Sequence, residues 1–210
     1  MKRAHLLLTL ALMGPLTALP ASAQGTSAFG LQITPRGAQK LNLATGVTEL
    51  PQGGTVRDNK SGVKVVAGFI SIKTGESLSA TAAVLTTLQG GTLRAQNITY
   101  NEKAALVTAS GNLSYSDNRV KNLTAQTIYV DTRSGAVTAV GGVSASTPPA
   151  SAAQMVALPT KASILLRGGA KVTTLGQAVS GETVLLNLVT GQAQTDASES
   201  ALAPFKAYLR

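Results

Sequence analysis

The side chains that could carry out acid–base or nucleophilic chemistry are few in this chain of 210 residues. There is no cysteine, and the single histidine, His5, lies near the start. Beyond that residue the chain lacks the common general base, the thiol nucleophile and the usual ligands of soft metals. The candidates that remain are nine carboxylates: Glu49, Asp58, Glu76, Glu102, Asp117, Asp131, Glu182, Asp196 and Glu199.

The sequence context of these carboxylates is typical of turns and not of a catalytic site. Most lie beside Gly, Asn, Lys or Ser, which favours solvated turn positions. The sequence contains no phosphate-binding loop, no zinc-ligand spacing and no nucleophile elbow. A hydrolase stays open only as an alternative that requires two acids facing each other across a cleft, since such partners can come from distant strands. The sequence therefore predicts a non-enzymatic protein without catalytic residues, metal or cofactor.

The first 23 residues have the composition of a secretory signal peptide. Lys2 and Arg3 precede an apolar run over 6–12, and Ala21-Ser-Ala23 forms a small-x-small cleavage site ahead of Gln24. An uncleaved anchor is the alternative, although the apolar run is short for a membrane span. We therefore predict a periplasmic protein cleaved before Gln24, and the lack of cysteine excludes lipoprotein attachment and disulfides.

An internal repeat of thirty residues dominates the middle of the chain. Ten positions are identical between the windows 93–116 and 123–146. Repetition of this kind indicates that one supersecondary unit is stacked. The identical pairs are Leu93/Leu123, Ala95/Ala125, Gln96/Gln126, Ile98/Ile128, Val107/Val137, Thr108/Thr138, Ala109/Ala139, Gly111/Gly141, Ser114/Ser144 and Ser116/Ser146.

Each copy of the repeat reads as a pair of β-strands joined by a polar turn. Apolar and polar residues alternate from Ala105 to Tyr115, and a period of two indicates a strand. The leading strand is less regular, since Leu93 and Ala95 share one parity and Ile98 and Tyr100 the other. Either a bulge near Gln96 or Asn97 or burial of both sides would account for this. The pattern predicts an all-β fold of three to five units.

The rest of the chain fits one elongated domain over 24–210. The stretch 146–160 is rich in Pro, Ala and Ser, so it is predicted to be a long loop, with a two-domain split as the alternative. Helix-compatible spacing over 198–210, interrupted by Pro204, predicts either a short C-terminal helix or a final edge strand.

Basic residues exceed acidic ones and are spread along the chain. Without Lys2 and Arg3, 16 of the 18 lysines and arginines remain against nine acids, a net charge of about +7. Lys103 and Arg133 occupy equivalent repeat positions, which predicts a periodic basic rim. Such a rim would either keep strand edges soluble or attract phosphate-bearing lipids or polymers. Nucleic acid is not a predicted partner, since three Phe and four Tyr provide no aromatic interleaving.

The repeated phrase resembles the OstA-like, LptA-type family of lipopolysaccharide-transport proteins. That family reads as a Leu-x-Ala phrase, a Tyr-Asn or Tyr-Asp turn and an Ala-x-Gly-x-Val phrase. The first copy here has Leu93-Arg-Ala95, Tyr100-Asn101 and Ala109-Ser-Gly-Asn-Leu113; the second has Leu123-Thr-Ala125, Val130-Asp131 and Ala139-Val-Gly-Gly-Val143. The resemblance is clearest over about 93–146, extends more weakly over 60–92 and 164–196, and does not include 24–59.

The resemblance implies an open twisted β-jellyroll (OstA-like) of antiparallel strand pairs, with a groove that holds acyl chains. It implies that the chain carries or bridges lipopolysaccharide, or a related acylated glycolipid or phospholipid, toward the outer membrane. Inner- and outer-membrane lipid-transport components and head-to-tail copies would be its partners. The implied groove residues are Val107, Ala109, Leu113, Val137, Ala139 and Val143, and Lys103 and Arg133 would form a head-group rim.

Two alternatives remain open at the level of the sequence. The same apolar alternation would build a closed sandwich core instead of a groove. A structural or assembly module that binds a polymer or a protein by edge-strand addition would also fit.

Overall fold

The computed structural model describes residues 26–28 and 30–210. The predicted signal peptide, residues 1–23 with its cleavage site before Gln24, lies outside the described residues. Within the described part of the chain, no helix has the length and apolar character needed to cross a membrane.

The described residues form sixteen strands followed by a short helical segment. The first eight strands are β1 (Thr26–Ala28), β2 (Leu31–Pro35), β3 (Lys40–Asn42), β4 (Val47–Leu50), β5 (Gly54–Asp58), β6 (Lys64–Lys73), β7 (Ser77–Thr86) and β8 (Thr92–Asn101). The others are β9 (Leu106–Ser110), β10 (Ser114–Ser116), β11 (Thr127–Asp131), β12 (Val137–Ser146), β13 (Pro149–Leu158), β14 (Ser163–Thr174), β15 (Gln177–Asn187) and β16 (Ala193–Gln194). Helix α1 (Glu199–Leu202) continues into a 3-10 helix (Ala203–Tyr208).

All the pairings between these strands are antiparallel, and strands next to each other in sequence are mostly neighbours in the sheet. The long strands therefore form a meander with two free ends, which is an open sheet and not a closed barrel. This confirms the prediction of an all-β fold of antiparallel strand pairs with a short C-terminal helix.

The long strands change their inward parity near the middle. In β8, Leu93 and Ala95 are buried, Gln96 and Asn97 are both exposed, and Ile98 is buried again. Strands β12, β13 and β14 shift register at the corresponding level, between Val140 and Val143 in β12 and between Arg167 and Ala170 in β14. The irregularity predicted near Gln96 or Asn97 is present, and the neighbouring strands share it. These bends lie side by side across the sheet, at 68, 82, 96, 111–113, 141–142, 153, 168–169 and 182, and we call them the bend line. The bend line folds one sheet into two halves.

The repeat explains the local structure of this bend line. The backbone N–H of Gln96 donates to the carbonyl oxygen of Gly111 at 2.7 Å, and Gln126 donates to Gly141 at 2.8 Å. Both glycines have positive φ, +74° and +84°, and a Cβ on either would lie 2.9 Å from the Cβ of its glutamine. Glycine is required at both positions for two reasons: the backbone is left-handed, and the adjacent glutamine leaves no room for a Cβ. The Gln and Gly identities of the repeat thus build the bend.

We call the two halves of the folded sheet face 1 and face 2. Face 1 contains β3, β4, 69–73, 77–81, 97–101, β9, β11, 137–140, 154–158, 163–167, 183–187 and β16. Face 2 contains β1, β2, β5, 64–67, 83–86, 92–95, β10, 143–146, 149–152, 170–174 and 177–181. Rim 1 comprises the turns at the far ends of face 1, such as 102–105, 132–136 and 188–192. Rim 2 comprises those of face 2, such as 59–63, 87–91, 117–120 and 175–176.

One apolar core fills the space between the inner surfaces of the two faces. It runs without a break from Leu31 to Leu186, and it includes Val65 and Leu85 of face 2 with Ile70 and Ile98 of face 1. At the bend, the inward positions change from odd-numbered to even-numbered residues in β8, from Leu93 and Ala95 to Ile98 and Tyr100. Alternate residues therefore point into the core on both sides of the bend. Period-two alternation on each half is therefore enough to bury the whole inner surface.

The C-terminal segment forms a second, smaller core on the outer surface of face 1. Phe205 is 2 % exposed and packs in one cluster with Val156, Leu158 and Leu165. Thr138 Oγ1 donates to the carbonyl oxygen of Tyr208 at 3.0 Å, and the Arg210 guanidinium lies 5.2 Å from the Tyr129 ring centroid. The helical segment over 198–210 therefore covers strands β11 to β14 from outside.

The prediction of a long loop over 146–160 is wrong. Residues Pro149–Leu158 form strand β13, and only a tight turn at Thr147 and Pro148 separates it from β12. Pro149 is tolerated in β13 because it is the first residue of the strand. Small residues still alternate, with Ala152 buried and Ser151 exposed. Composition suggested a loop, whereas alternation within the same residues specified a strand.

Candidate functional site

The two rims approach each other on the side of the molecule opposite the bend line, and hydrogen bonds join them at three places. The first junction joins rim 2 at Asp58 to face 1 at Tyr100, whose hydroxyl donates to Asp58 Oδ2 at 2.9 Å. The Ser61 hydroxyl donates to the same oxygen at 2.7 Å, and the Lys60 amide donates to Oδ1 at 2.8 Å. We call this group of residues the Asp58 clasp.

The second junction is centred on Arg119, in the turn of rim 2 that follows β10. Its Nη1 donates to the carbonyl oxygen of Ala157 at 3.0 Å and its Nη2 to that of Gly135 at 3.1 Å, both in face 1 or its rim. The guanidinium also pairs with Asp117, with Nε 2.7 Å from Oδ2, and the Tyr115 hydroxyl donates to that oxygen at 2.9 Å. We call this group the Arg119 clasp.

The third junction lies near the C-terminal end of the sheet. Thr174 Oγ1 at the end of face 2 donates to the carbonyl oxygen of Gly191 in rim 1 at 2.6 Å. Along the described rims, these three junctions hold the folded sheet closed at intervals.

An opening of about 460 Å³ lies between the Asp58 clasp and the Arg119 clasp. Both rims contribute to it, and its apolar lining consists of Val63, Leu88, Ala105 and Val130 together with Tyr100 and Tyr115. Lys60 lies on one side and Arg133 on the other. A volume of this size falls in the range of small-molecule sites. The opening thus combines an apolar floor with a polar margin of mixed charge, where Asp58, Glu102 and Asp131 accompany the two basic residues.

The electrostatics of the two clasps favour ionised aspartates and neutral tyrosines. Burial opposes ionisation of Asp58, but hydrogen bonds from Ser61, Lys60 and Tyr100 outweigh it and lower its pKa below 3.8. Burial likewise opposes ionisation of Asp117, and Arg119 outweighs it, so its pKa is also lowered. Burial, followed by the charge of Asp117, raises the pKa of Tyr115. Each tyrosine is therefore a fixed donor to a fixed carboxylate.

The expectation that the carboxylates are solvated turn residues is wrong for two of the nine. Asp58 is 7 % and Asp117 5 % exposed. Asp58 and Asp131 do line opposite sides of the opening. Asp58 is held ionised by its donors, and Asp131 Oδ1 accepts from the amides of Arg133 and Ser134. Asp58 therefore has no proton to donate near neutral pH, so the general acid of a glycosidase-type pair cannot come from this residue.

The six residues implied as the groove lining all point into the main core. Val107, Ala109, Val137 and Ala139 lie on face 1, whereas Leu113 and Val143 lie beyond the bend, on the side of face 2. Their exposures range from 0 to 6 %, and they belong to one continuous cluster. The structure therefore brings these six residues into a single interior, in contact with protein atoms.

The predicted groove set left out the inward residues of β11, the strand that lies between its two groups. Val130 pairs with both Val107 and Val137, and Ile128 pairs with both Ala109 and Ala139. Val130 reaches the opening, so it connects the opening to the predicted residues. A signal was present, because Ile98 and Ile128 are identical positions of the repeat and both are buried.

The predicted basic pair lies on neighbouring turns of rim 1. Lys103 and Arg133 are exposed, and Arg133 Nη2 donates to the carbonyl oxygen of Lys103 at 2.6 Å. Arg133 borders the opening, and Lys103 lies on the adjacent turn. The hydrogen bond holds the Arg133 side chain against the next turn at the margin of the opening.

Comparison with known proteins finds similar solved structures, among them LptH. No protein-family model matches the chain, and no curated protein matches it. The crystal structure of LptH from Pseudomonas aeruginosa, the LptA homologous periplasmic component of the conserved lipopolysaccharide transport device, is similar with a TM-score of 0.27. The identity is 15 %, and the match covers 80 % of this chain and 82 % of LptH.

Proposed function

We propose that the protein is a non-enzymatic lipid-binding protein of the periplasm. Its folded sheet would hold the acyl chains of lipopolysaccharide, or of a related acylated glycolipid or phospholipid, and carry or bridge them toward the outer membrane. The observation that carries this proposal is the opening between the two clasps. Its floor is continuous with the apolar core through Val130, and its margin of mixed charge includes Lys60 and Arg133.

The path of an acyl chain follows the strand pairing. From Val130 it reaches Val107 and Val137, then Ala109 and Ala139 one step deeper. Leu113 and Val143 lie beyond the bend and complete the six groove residues. Because these side chains are buried against one another, the acyl chain replaces contacts between the two faces. The rims must part between the clasps for the chain to enter.

The energetic balance assigns different roles to the interior and the margin. Each methylene removed from water contributes about 0.8 kcal/mol, so a twelve-carbon chain contributes on the order of 9 kcal/mol before the costs of association. An exposed ion pair contributes only about 0 to 1 kcal/mol. Apolar burial therefore holds the lipid, while Lys103 and Arg133 orient an anionic head group at the margin.

The first test is native mass spectrometry of the protein purified from its own cell envelope, with lipid extraction of the same sample. We expect a copurifying acylated glycolipid or phospholipid. A protein mass without lipid, unchanged after incubation with extracted envelope lipids, would overturn the proposal.

A cysteine cross-link tests the route of entry. An ideal Cβ at Gly135 lies 2.6 Å from Gln89 Cδ, across the two rims, and the chain has no other cysteine to interfere. We expect the oxidised Gln89→Cys, Gly135→Cys variant to lose lipid loading and to recover it on reduction. The control is Gly62→Cys with Leu88→Cys, which links two turns of the same rim. Equal loading of both oxidised variants would contradict entry between the rims.

Edge-strand association is a second candidate function, supported by the ends of the sheet. Among the described residues, β16 pairs only with Leu185 and Leu186 of β15, so the edge at 177–181 has no strand on its outer side. At the other end, β3 pairs only with β4. A free edge can accept a strand of another chain, including a head-to-tail copy or a lipid-transport component of either membrane. Light scattering over a concentration series tests self-association, and a monomer at every concentration would argue against stacked copies.

A further inference from the structure

The outer surface of face 2 carries charges of only one sign. Its outward positions include Arg57 on β5, Lys64 on β6, Arg94 on β8 and Lys171 on β14. No aspartate or glutamate occupies an outward position on the face 2 strands that the structure describes; Asp58 points inward, and Glu182 lies on the bend line. Face 1 differs, since Glu49 and Asp131 lie among its outward residues.

Hydroxyl side chains fill most of the other outward positions of face 2. They form cross-strand pairs, including Thr86 opposite Thr92 and Ser144 opposite Ser151. The basic residues stand next to these hydroxyls: Arg94 is opposite Ser114, and Lys171 is paired with Ser151 on one side and Ser180 on the other. The outward hydroxyl residues are Thr34, Thr55, Thr86, Thr92, Ser114, Ser116, Ser144, Ser146, Ser151, Thr173 and Ser180.

Two of the basic residues are direct cross-strand neighbours. Arg57 of β5 is paired with Lys64 of β6. Like charges directly opposite each other destabilise a sheet, and no acid on this surface separates them. An anion placed over the pair would remove the repulsion, which makes the arrangement favourable for binding and unfavourable for the free protein.

The spacing of the basic residues points to a long ligand. From β5 to β14, face 2 contains nine neighbouring strand segments, if the segment 121–124 between β10 and β12 is included. Neighbouring strands are about 4.8 Å apart, so Arg57 and Lys171 are about 40 Å apart along the sheet. Charges at that distance are screened from each other at physiological salt. One small anion cannot contact them all, whereas a linear polyanion can.

The chemistry of the surface favours a polysaccharide over a membrane. The most exposed large apolar side chains lie elsewhere: Leu88 and Leu175 on rim 2, Leu43 and Val189 on rim 1, and Leu41 and Phe69 on face 1. The outward valines of face 2 are the cross-strand pair Val66 and Val84, which are half-buried and not among the large exposed side chains. Face 2 therefore offers little for insertion among acyl chains. Its hydroxyls and amines can instead donate to the oxygens of sugars and their acidic groups.

We propose that the outer surface of face 2 binds a linear anionic polysaccharide, with Arg57, Lys64, Arg94 and Lys171 contacting its acidic groups. This surface lies on the opposite side of the face 2 strands from the interior that the lipid proposal uses, so the two can fail separately.

The test measures binding of dextran sulfate by the purified protein at several salt concentrations, with neutral dextran and anionic phospholipid vesicles as parallel probes. The variant changes Arg57, Lys64, Arg94 and Lys171 to serine. The matched control changes four exposed basic residues of face 1 and its rim, Lys40, Lys73, Lys161 and Arg167, to serine, so both variants lose the same net charge.

We expect the face 2 variant to lose affinity for dextran sulfate at least tenfold and the control variant less than threefold. Binding of dextran sulfate by the unmodified protein should weaken as the salt concentration rises. Equal losses in both variants would show that net charge alone drives binding and would overturn the proposal. Stronger binding to the vesicles than to dextran sulfate, or equal binding to neutral dextran, would also overturn it.

A single substitution provides a check that does not depend on the fourfold variant folding. We expect Lys64→Thr to raise the thermal midpoint at low salt, because the Arg57 repulsion is removed, and to weaken dextran sulfate binding. A lower midpoint together with unchanged binding would contradict the role of this pair.

Discussion

The outer surfaces of face 1 and face 2 are built from the same strands but have opposite chemistry. In β14, Leu165 faces out of face 1 beneath the C-terminal segment, whereas Lys171 and Thr173 face out of face 2 into solvent. In β13, Val156 and Leu158 are covered on face 1, and Ser151 is exposed on face 2. One strand can contribute to both outer surfaces because it crosses the bend line, where the inward and outward positions exchange.

This difference shows that the C-terminal segment belongs to one face only. Phe205 closes a small core over β12 to β14 of face 1, and within the described residues nothing comparable covers face 2. The outer surface of face 1 is thus packed where the C-terminal segment covers it, whereas the outer surface of face 2 is bare; the clasps and the bend join the two faces. Perturbations of the packed layer, the clasps and the bend should therefore differ in size.

The largest loss of stability is expected from Phe205→Ala. Truncation of a buried aromatic side chain costs about 3–5 kcal/mol of unfolding free energy, and Phe205 is 2 % exposed. Urea denaturation measures the effect. Phe69→Ala is the control, because Phe69 on face 1 is 37 % exposed, and we expect a loss below about 1 kcal/mol. Similar losses in both variants would mean that the outer core of face 1 is not a distinct stabilising element.

Removal of the Arg119 side chain should have the next largest effect. Arg119→Ala leaves Asp117 buried without its cation and breaks both bonds from the guanidinium to face 1. Breaking a fully buried pair costs about 3–5 kcal/mol, and we expect about 2–3 kcal/mol here because the clasp lies near solvent at the rim. Arg94→Ala on the outer surface of face 2 is the matched control, with an expected change within about 0.5 kcal/mol. A loss as small as that of the control would show that the clasp does not hold the faces together.

A smaller effect is expected at the bend line, where two glycines provide a direct comparison. Gly111 and Gly142 both have positive φ, +74° and +61°, but only at Gly111 would a Cβ meet a neighbour, Gln96 Cβ at 2.9 Å. Gly111→Ala carries both backbone and steric strain, whereas Gly142→Ala carries backbone strain alone. We expect Gly111→Ala to be about 1–2 kcal/mol less stable than Gly142→Ala in urea denaturation. Equal losses would indicate that the bend tolerates the closer contact.

Acid should weaken the clasps gradually. Because the pKa values of Asp58 and Asp117 are lowered on folding, both carboxylates stabilise the folded protein above about pH 4, their ordinary range. That stabilisation is lost as the pH falls below 4 toward the folded pKa values. We expect Asp117→Asn to flatten the dependence of the urea midpoint on pH between 5 and 2. The control Gln32→Asn, at an exposed site of β2, removes no titratable group and should leave the slope unchanged; identical slopes in both variants would contradict the assignment.

Local patterns predicted the strands well and the turns less well. The repeat and the alternation over 105–115 indicated β9, β10 and their partners, since a period of two needs no knowledge of distant residues. The stretch 146–160 was misread because its Pro, Ala and Ser content suggested a loop, although Ala152 and Ser151 alternate as in any strand. Asp58 and Asp117 were misread because a carboxylate beside Asn or Lys looks solvated until its distant tyrosine or arginine partner is known.

The sequence by itself determined the antiparallel strand pairs, the repeated Gln and Gly positions and the inward parity of Val107, Val137 and their neighbours. These features depend on residues close together in the chain. Only the tertiary structure decided that the sheet folds along its bend line and that the rims meet, which brings Tyr100 to Asp58 and Arg119 to Ala157. Those contacts join residues 42 and 38 positions apart, and they depend on the bend and twist accumulated over many strands. No short stretch of sequence encodes that sum, so the opening between the clasps is a property of the folded molecule.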